Sequence, residues 1–266
     1  MSKTLQRSRT RGGAAYVDGG GGQPLLLIHG VGMRLEAWAP QIAALGRSHR
    51  VIAVDMPGHG ESDLLPSGAL LPDFVAWFGK VIDDLGLDKV NVAGHSMGAL
   101  ISGGMAASYP DRVSRVCLLN GVYRRSSQAR AAVEERAAAM QNGEFDSEAP
   151  LRRWFSPDEI ETEAYRLTRD WLMRNNPQGY ATAYAAFAKG DAVYADAWPK
   201  VQVPALYLTG SGDPNSTPQM SRQMATAAPR GRCLLVEGHR HMVNLTAPDE
   251  VNAAMQGWLS LEEVPT

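Results

Sequence analysis

A chain of 266 residues, 44% hydrophobic and 20% charged, has an ordinary globular composition and is long enough to bury a large apolar core. Its formal net charge of −2, from 26 basic and 28 acidic residues, lacks the basic excess that marks nucleic-acid binding. No apolar run approaches the ~18 residues that a membrane-spanning helix needs.

The first eleven residues carry Lys3, Arg7, Arg9 and Arg11 with no apolar stretch behind them. They read as a frayed polar terminus and not as a secretory signal. The segment AAYVDGGGGQP at 14–24 reads as one strand that turns at residues 19–22, an antiparallel edge to the strands after it. Six apolar runs of strand length come next: 24–30 (PLLLIHG), 49–58 (HRVIAVDMPG), 89–96 (KVNVAGHS), 113–121 (VSRVCLLNG), 204–212 (PALYLTGSG) and 231–239 (GRCLLVEGH). Continuous apolar runs of this length fit strands buried on both faces of a parallel sheet. Between them, helical spacing predicts helices at 72–86, 97–111, 217–228 and 248–260, the last opened by Pro248, Asp249 and Glu250. Strands alternating with helices predict an α/β fold with a mainly parallel, doubly wound sheet. Cys117 and Cys233 each fall inside a strand run and are expected to be buried thiols.

The alternation breaks at 122–197. That stretch is helical in pattern, has no convincing strand, and is rich in aromatics from Trp154 to Trp198. It is expected to be a helical insertion between two halves of one core, 1–121 and 198–266.

The chemistry starts at Gly94-His95-Ser96-Met97-Gly98, a G-x-S-x-G with a strand running in and a small-residue helix running out. Such a turn is too tight for relaxed backbone, and its glycines leave room for neighbouring chain. It lifts the Ser96 hydroxyl to a helix N-terminus, where developing negative charge is favoured. Directly after the first parallel strand, His29-Gly30-Val31-Gly32 supplies a second element. A tetrahedral intermediate needs two N–H donors, and Val31 and Met97 are the candidates for the oxyanion hole. Serine also needs a base, and the base an orienter. Asp213, in the loop GSGDPNSTP after a strand, falls between serine and histidine in chain order and is the candidate acid. For the base, His239 and His241 compete in VEGHRHMVNLTAP.

Together LLLIHGVG, VIAVDMPGHGES, VAGHSMGALIS, YPDRVSRVCLLN, LYLTGSGDPNSTP and GHRHMVNLTAPDEVN resemble the α/β-hydrolase fold superfamily over about residues 14–260. HGVGMRLEAWAPQIAAL followed by VIAVDMPGHGES resembles most its enol-lactonase, carbon–carbon bond hydrolase and small-esterase group. The resemblance implies a serine hydrolase whose helical cap, 122–197, follows the sixth strand of the family order. It favours His241 as base, seven residues before Pro248, with His239 where the family commonly has a small residue. The serine argues against the haloalkane dehalogenases and soluble epoxide hydrolases, which resemble this fold but use carboxylate nucleophiles.

The implied reaction is cleavage of a small carboxylic ester or lactone through an acyl-enzyme. The alternatives are amide hydrolysis, or carbon–carbon hydrolysis of a vinylogous diketone, with the same triad. A non-catalytic ligand-binding member is disfavoured by the intact Ser96/Asp213/His241 set. His49, His59 and His95 lack metal-ligand spacing, so neither metal nor cofactor is expected, and His59 is expected to shape a turn. The expected partner is a small-molecule substrate, with neither nucleic acid nor membrane, in the cytoplasm. Arg34, three residues beyond Val31, and Arg124 and Arg125, leading into the insertion, are candidates to bind a substrate carboxylate.

Overall fold

The computed structural model describes residues 5–144 and 146–263. Eight strands make one sheet: β1 (Ser8–Arg9), β2 (Ala15–Gly19), β3 (Pro24–Ile28), β4 (Arg50–Val54), β5 (Val90–His95), β6 (Val113–Leu119), β7 (Ala205–Gly210) and β8 (Gly231–Val236). Their spatial order is β1-β2-β4-β3-β5-β6-β7-β8. β1 and β2 pair antiparallel, and β3 to β8 run parallel. The alternation of side chains along each strand divides the core into two layers. Leu26, Ile28, Ile52 and Val54 face one layer. Leu25, Leu27, Val51 and Ala53 face the other, with Trp38 and Trp258. This double burial is why the parallel strands read as unbroken apolar runs.

The helices flank the sheet. α1 (Ala39–Leu45) and α10 (Pro248–Leu259) cover one face. α2 (Leu71–Asp84), α3 (Met97–Ser108) and α8 (Pro218–Ala227) cover the other. α2 buries Phe74, Val75, Phe78, Val81 and Ile82, the stripe its spacing predicts.

Between β6 and β7, residues 122–197 hold α4 (Ser127–Gln141), α5 (Glu148–Trp154), α6 (Glu163–Met173) and α7 (Pro177–Gly190), and no strand among the described residues. Three of the four open on a side-chain cap: Ser126, Thr162 and Asn176 accept the N–H groups of Ala129, Tyr165 and Gly179. The segment meets the sheet-borne loops through backbone. A Cβ on Gly179 would lie 2.1 Å from the Gly58 carbonyl oxygen. Asn175 donates to the carbonyl of Gly32 at 2.6 Å, and Arg240 to that of Phe155 at 3.0 Å. The backbone N–H of His241 donates to the carbonyl of Trp154 at 3.1 Å. α9 (Val243–Thr246) lies between that loop and α10.

Two expectations are corrected. The polar terminus is not frayed from residue 5 onward, whereas Lys3 lies outside the described residues. The Arg7 side chain is 1% exposed and bridges two buried carboxylates, Glu36 at 2.7 Å and Asp55 at 2.6 Å. Those partners recruit it into the fold, and Ser8–Arg9 adds an outermost strand beyond β2. Cys117 is buried, but Cys233 is exposed, because β8 ends the sheet and is paired on one side only.

Candidate active site

The turn from β5 into α3 puts Ser96 at φ 55°, ψ −114°. An L-residue held there stores roughly 1–3 kcal/mol of strain. The surroundings enforce it. The Ser96 N–H donates to the Leu119 carbonyl at 2.9 Å. A Cβ on Gly94 would lie 1.9 Å from the Gly98 oxygen, and one on Gly98 2.1 Å from the Ile28 oxygen, so only glycine fits at either position. Met97, next in the chain, opens α3, where first-turn N–H groups have no intrahelical acceptor.

Asp213 follows β7 and His241 follows β8, each at the carboxyl end of its strand. The loops bring them together: His241 Nδ1 lies 2.7 Å from Asp213 Oδ2, both side chains almost wholly buried. Nδ1 carries the proton in this pair, since a carboxylate only accepts, and Nε2 is left as the basic nitrogen. Asp213 is itself over-determined. Oδ2 also accepts from Asn120 Nδ2 at 2.8 Å, and Oδ1 from the N–H groups of Asn215 at 2.8 Å and Ser216 at 3.1 Å. Burial pushes its carboxyl up, but the His241 charge and these hydrogen bonds outweigh burial and hold it below 3.8. Asn120 ends β6 at φ 50°. Asn120 is not among the site residues expected from the sequence. The signal available there is an Asn at a strand end, a residue that tolerates left-handed backbone and can donate.

His239 is turned elsewhere. Its Nδ1 meets Thr246 Oγ1 at 2.9 Å and Glu159 Oε1 at 3.3 Å. His95, beside the serine, lies 2.8 Å through Nε2 from the His241 carbonyl, so it holds that loop.

The loop after β3 is fixed by two neutral imidazoles. His59 Nε2 accepts the Gly32 N–H at 3.0 Å, so its Nδ1 donates to the Pro57 carbonyl at 3.0 Å. His29 Nε2 accepts the Met56 N–H at 2.9 Å, and its Nδ1 donates to the Gly30 carbonyl at 2.8 Å. Burial depresses His59 from 6.5 to about 4, and holds His29 well below the usual range. Burial and the nearby His241 charge take His95 to about 3. These histidines are neutral hydrogen-bonding spacers at neutral pH.

A cavity of about 520 Å³ is lined by Val31, Ser96 and His241 from the sheet side. From the helical segment it is lined by Trp154, Tyr180, Tyr184 and Phe187, with Trp154 stacked on the His241 ring at 5.6 Å. Four arginines also line it (Arg124, Arg125, Arg136 and Arg153) and no aspartate or glutamate does. Arg34 is not among the lining residues. Its Nε faces Glu36 at 3.2 Å, because the Glu36–Asp55 cluster draws the guanidinium toward the protein's N-terminal arm. Arg124 does line the cavity, but it is half exposed and tied to Asp196. Among the described residues, no group of three or more His, Cys, Asp or Glu side chains is placed to hold a metal ion. No helix among them is long and apolar enough to cross a membrane.

The family model for the alpha/beta hydrolase fold matches residues 23–248. The chain belongs to the α/β-hydrolase fold family. It is a hydrolase, 53% identical, over 97% of its length and 98% of the relative's, to (E)-2-((N-methylformamido)methylene)succinate hydrolase of Acinetobacter baylyi. It is 31% identical to 3-oxoadipate enol-lactonase 1 of the same species, over 68% of this chain and 67% of that one. Among solved α/β-hydrolases, the enol-lactonase of Burkholderia xenovorans superposes with a TM-score of 0.88 at 27% identity, covering 96% of this chain and all of that one. A malate-bound thermophilic esterase of Thermogutta terrifontis does so at 0.87 and 25%, covering 96% and 98%.

Proposed function

We propose that this α/β-hydrolase is a serine amidase acting on a small dicarboxylate that carries an N-acyl enamine, of the type named for its Acinetobacter baylyi relative. The carrying observation is one cavity that joins Ser96 and the Asp213-oriented His241 to an arginine-rich, acid-free wall. In (E)-2-((N-methylformamido)methylene)succinate, the amide nitrogen is conjugated through the C=C bond to a carboxylate. That conjugation weakens the amide and makes the nitrogen a better leaving group.

The proposed steps use the residues that this cavity brings together. His241 Nε2 takes the Ser96 proton as Oγ attacks the formyl carbon. The N–H groups of Val31 and Met97 hold the oxyanion. The C–N bond then breaks, and His241 returns its proton to the departing nitrogen, leaving a formyl ester on Ser96. Water, activated by His241, releases formate and restores the hydroxyl. Asp213 keeps the proton on Nδ1 throughout and stabilises the imidazolium. In this reading residues 122–197 act as a cap that supplies the pocket walls. The exposed free thiol of Cys233 suits the reducing cytoplasm.

The likeness to enol-lactonases supports a second reading, in which the scissile group is a ring ester and the machinery is unchanged. The test assays wild type and Ser96→Ala on the N-formyl enamide dicarboxylate, an enol-lactone acid and p-nitrophenyl acetate. The enamide is expected to give the largest kcat/KM, and Ser96→Ala to lower it by at least about 10⁴. Turnover by Ser96→Ala near the wild-type rate overturns the nucleophile. A larger kcat/KM for the lactone selects the second reading.

A further inference from the structure

The four cavity arginines are not equivalent. Arg125 is buried, its Nη1 is 3.2 Å from the buried Asp191 carboxylate, and its guanidinium stacks 4.4 Å over the Phe187 ring. Arg124 is bound to Asp196. Each of these charges is already matched. Arg136, on α4, donates through Nε to Tyr184 Oη at 3.1 Å. Arg153 lies on α5, one residue before Trp154, whose ring stacks on His241. Both are half-buried, and among the described residues neither forms an ion pair. Their outer sides border a groove with Glu144 and Asp146, but Glu144 is exposed and Asp146 is bound to Arg152 at 3.2 Å.

Two unmatched cations therefore face one partly desolvated space. Burial depresses Arg153, and the Arg136 charge depresses it further, so the two guanidinium groups repel each other. An anion between them removes the repulsion and gains two charge-assisted contacts. A guanidinium presents its donors in a planar fork that matches a carboxylate, so two of them match a dicarboxylate.

We propose that Arg136 and Arg153 form the carboxylate-binding site of this cavity and confer selectivity for dianionic over neutral substrates. This rests on the hydrolase reading above. It moves the anion site from the positions that sequence favours, Arg34 and Arg124, to two helices of the segment between β6 and β7.

The test separates binding from turnover. Succinate binding is measured by calorimetry in wild type, Ser96→Ala, Arg136→Ala, Arg153→Ala, Arg153→Lys and the neighbouring Arg152→Ala. The kcat/KM ratio for the dicarboxylate enamide over p-nitrophenyl acetate is measured alongside. Succinate is expected to bind wild type and Ser96→Ala alike, and Arg152→Ala as well as either. Arg136→Ala and Arg153→Ala should each weaken it at least tenfold, and Arg153→Lys less than Arg153→Ala. The substrate ratio should fall at least tenfold in both alanine variants. Unchanged succinate affinity, or an equal loss on charged and neutral substrates, overturns the proposal. If Ser96→Ala still turns substrate over while the arginine variants lose succinate, the nucleophile assignment fails and the anion site stands.

Discussion

On the sheet side of the cavity, position is set by the main chain. Ser96 sits at φ 55°, and Gly94 and Gly98 are packed too tightly for any Cβ. Two fixed imidazole tautomers hold the loop that carries Val31. On the helical side, the walls are long side chains: four aromatic rings on α5 and α7, and guanidinium groups at the ends of long, flexible stems. The first half tolerates little change and suits chemistry that must be placed within a fraction of an ångström. The second can change partners by changing single residues, and suits recognition.

The comparison breaks most sharply at Asp213, the proposed acid. Asp213→Asn keeps the shape of the hydrogen-bonded loop but favours the wrong His241 tautomer. It should lower kcat by about 10⁴ while leaving the melting temperature near wild type. A loss below tenfold would mean that orientation of the base comes from Trp154 and His95 alone. Arg7→Met probes whether the sheet side is also fixed from the N-terminal arm. It leaves Glu36 and Asp55 buried without their counter-charge, and should destabilise the fold by about 3–5 kcal/mol in a denaturant titration. A loss under about 1 kcal/mol would make the arm an accessory.

Acid should act on the sheet side too. His59 and His95 are neutral in the fold, with values of about 4 and about 3, and both take up protons on unfolding below 6.5. Their contribution is complete above pH 6.5 and falls as pH drops from there toward 4, by up to about 1.4 kcal/mol per pH unit for each. His29 and Asp213, both depressed, act in the same direction. Denaturant midpoints at pH 7.5, 6 and 5 should decline, and His59→Gln should flatten the decline. A midpoint constant across that range would show that these rings are not buried neutral. The smallest effect belongs to His239→Ala. Its partners are Thr246 and Glu159 and not Asp213, so kcat should stay within about threefold of wild type. A loss comparable to that of His241→Ala would exchange the two histidines.

The two halves also differ in how far the sequence exposes them. The strands, the elbow at Ser96 and the order serine, acid, histidine are written in local patterns: apolar runs, paired glycines, a carboxylate just past a strand. The fold follows from them, and the alternation of strand and helix needs no long-range knowledge. Arg7 escapes such a reading because its partners lie 29 and 48 residues away and only folding brings them near. Arg34 escapes it for a related reason. Its place three residues past Val31 is beside the cavity in sequence, but a side chain of that length goes where a carboxylate draws it, here to Glu36. Arg136 and Arg153 carry no motif at all. They stand in helices whose patterns say only that they are helices, and that no carboxylate among the described residues pairs with them is visible only in three dimensions.

Where Gly58 and Gly179 touch, the loop after β4 and the helix α7 meet with nothing between them. The contact works as a spacer of zero thickness, and the height of the roof over Ser96 is set there. Gly58 has φ +73° and resists replacement on its own account, whereas Gly179 lies within the regular helix α7. A methyl group at 179, 2.1 Å from the Gly58 oxygen, is the smallest shim that would force the two apart. It would displace the end of the helix that carries Tyr180 and Tyr184, two walls of the cavity that Ser96 lines, so the room for an acyl group would change through a residue that does not itself line the cavity.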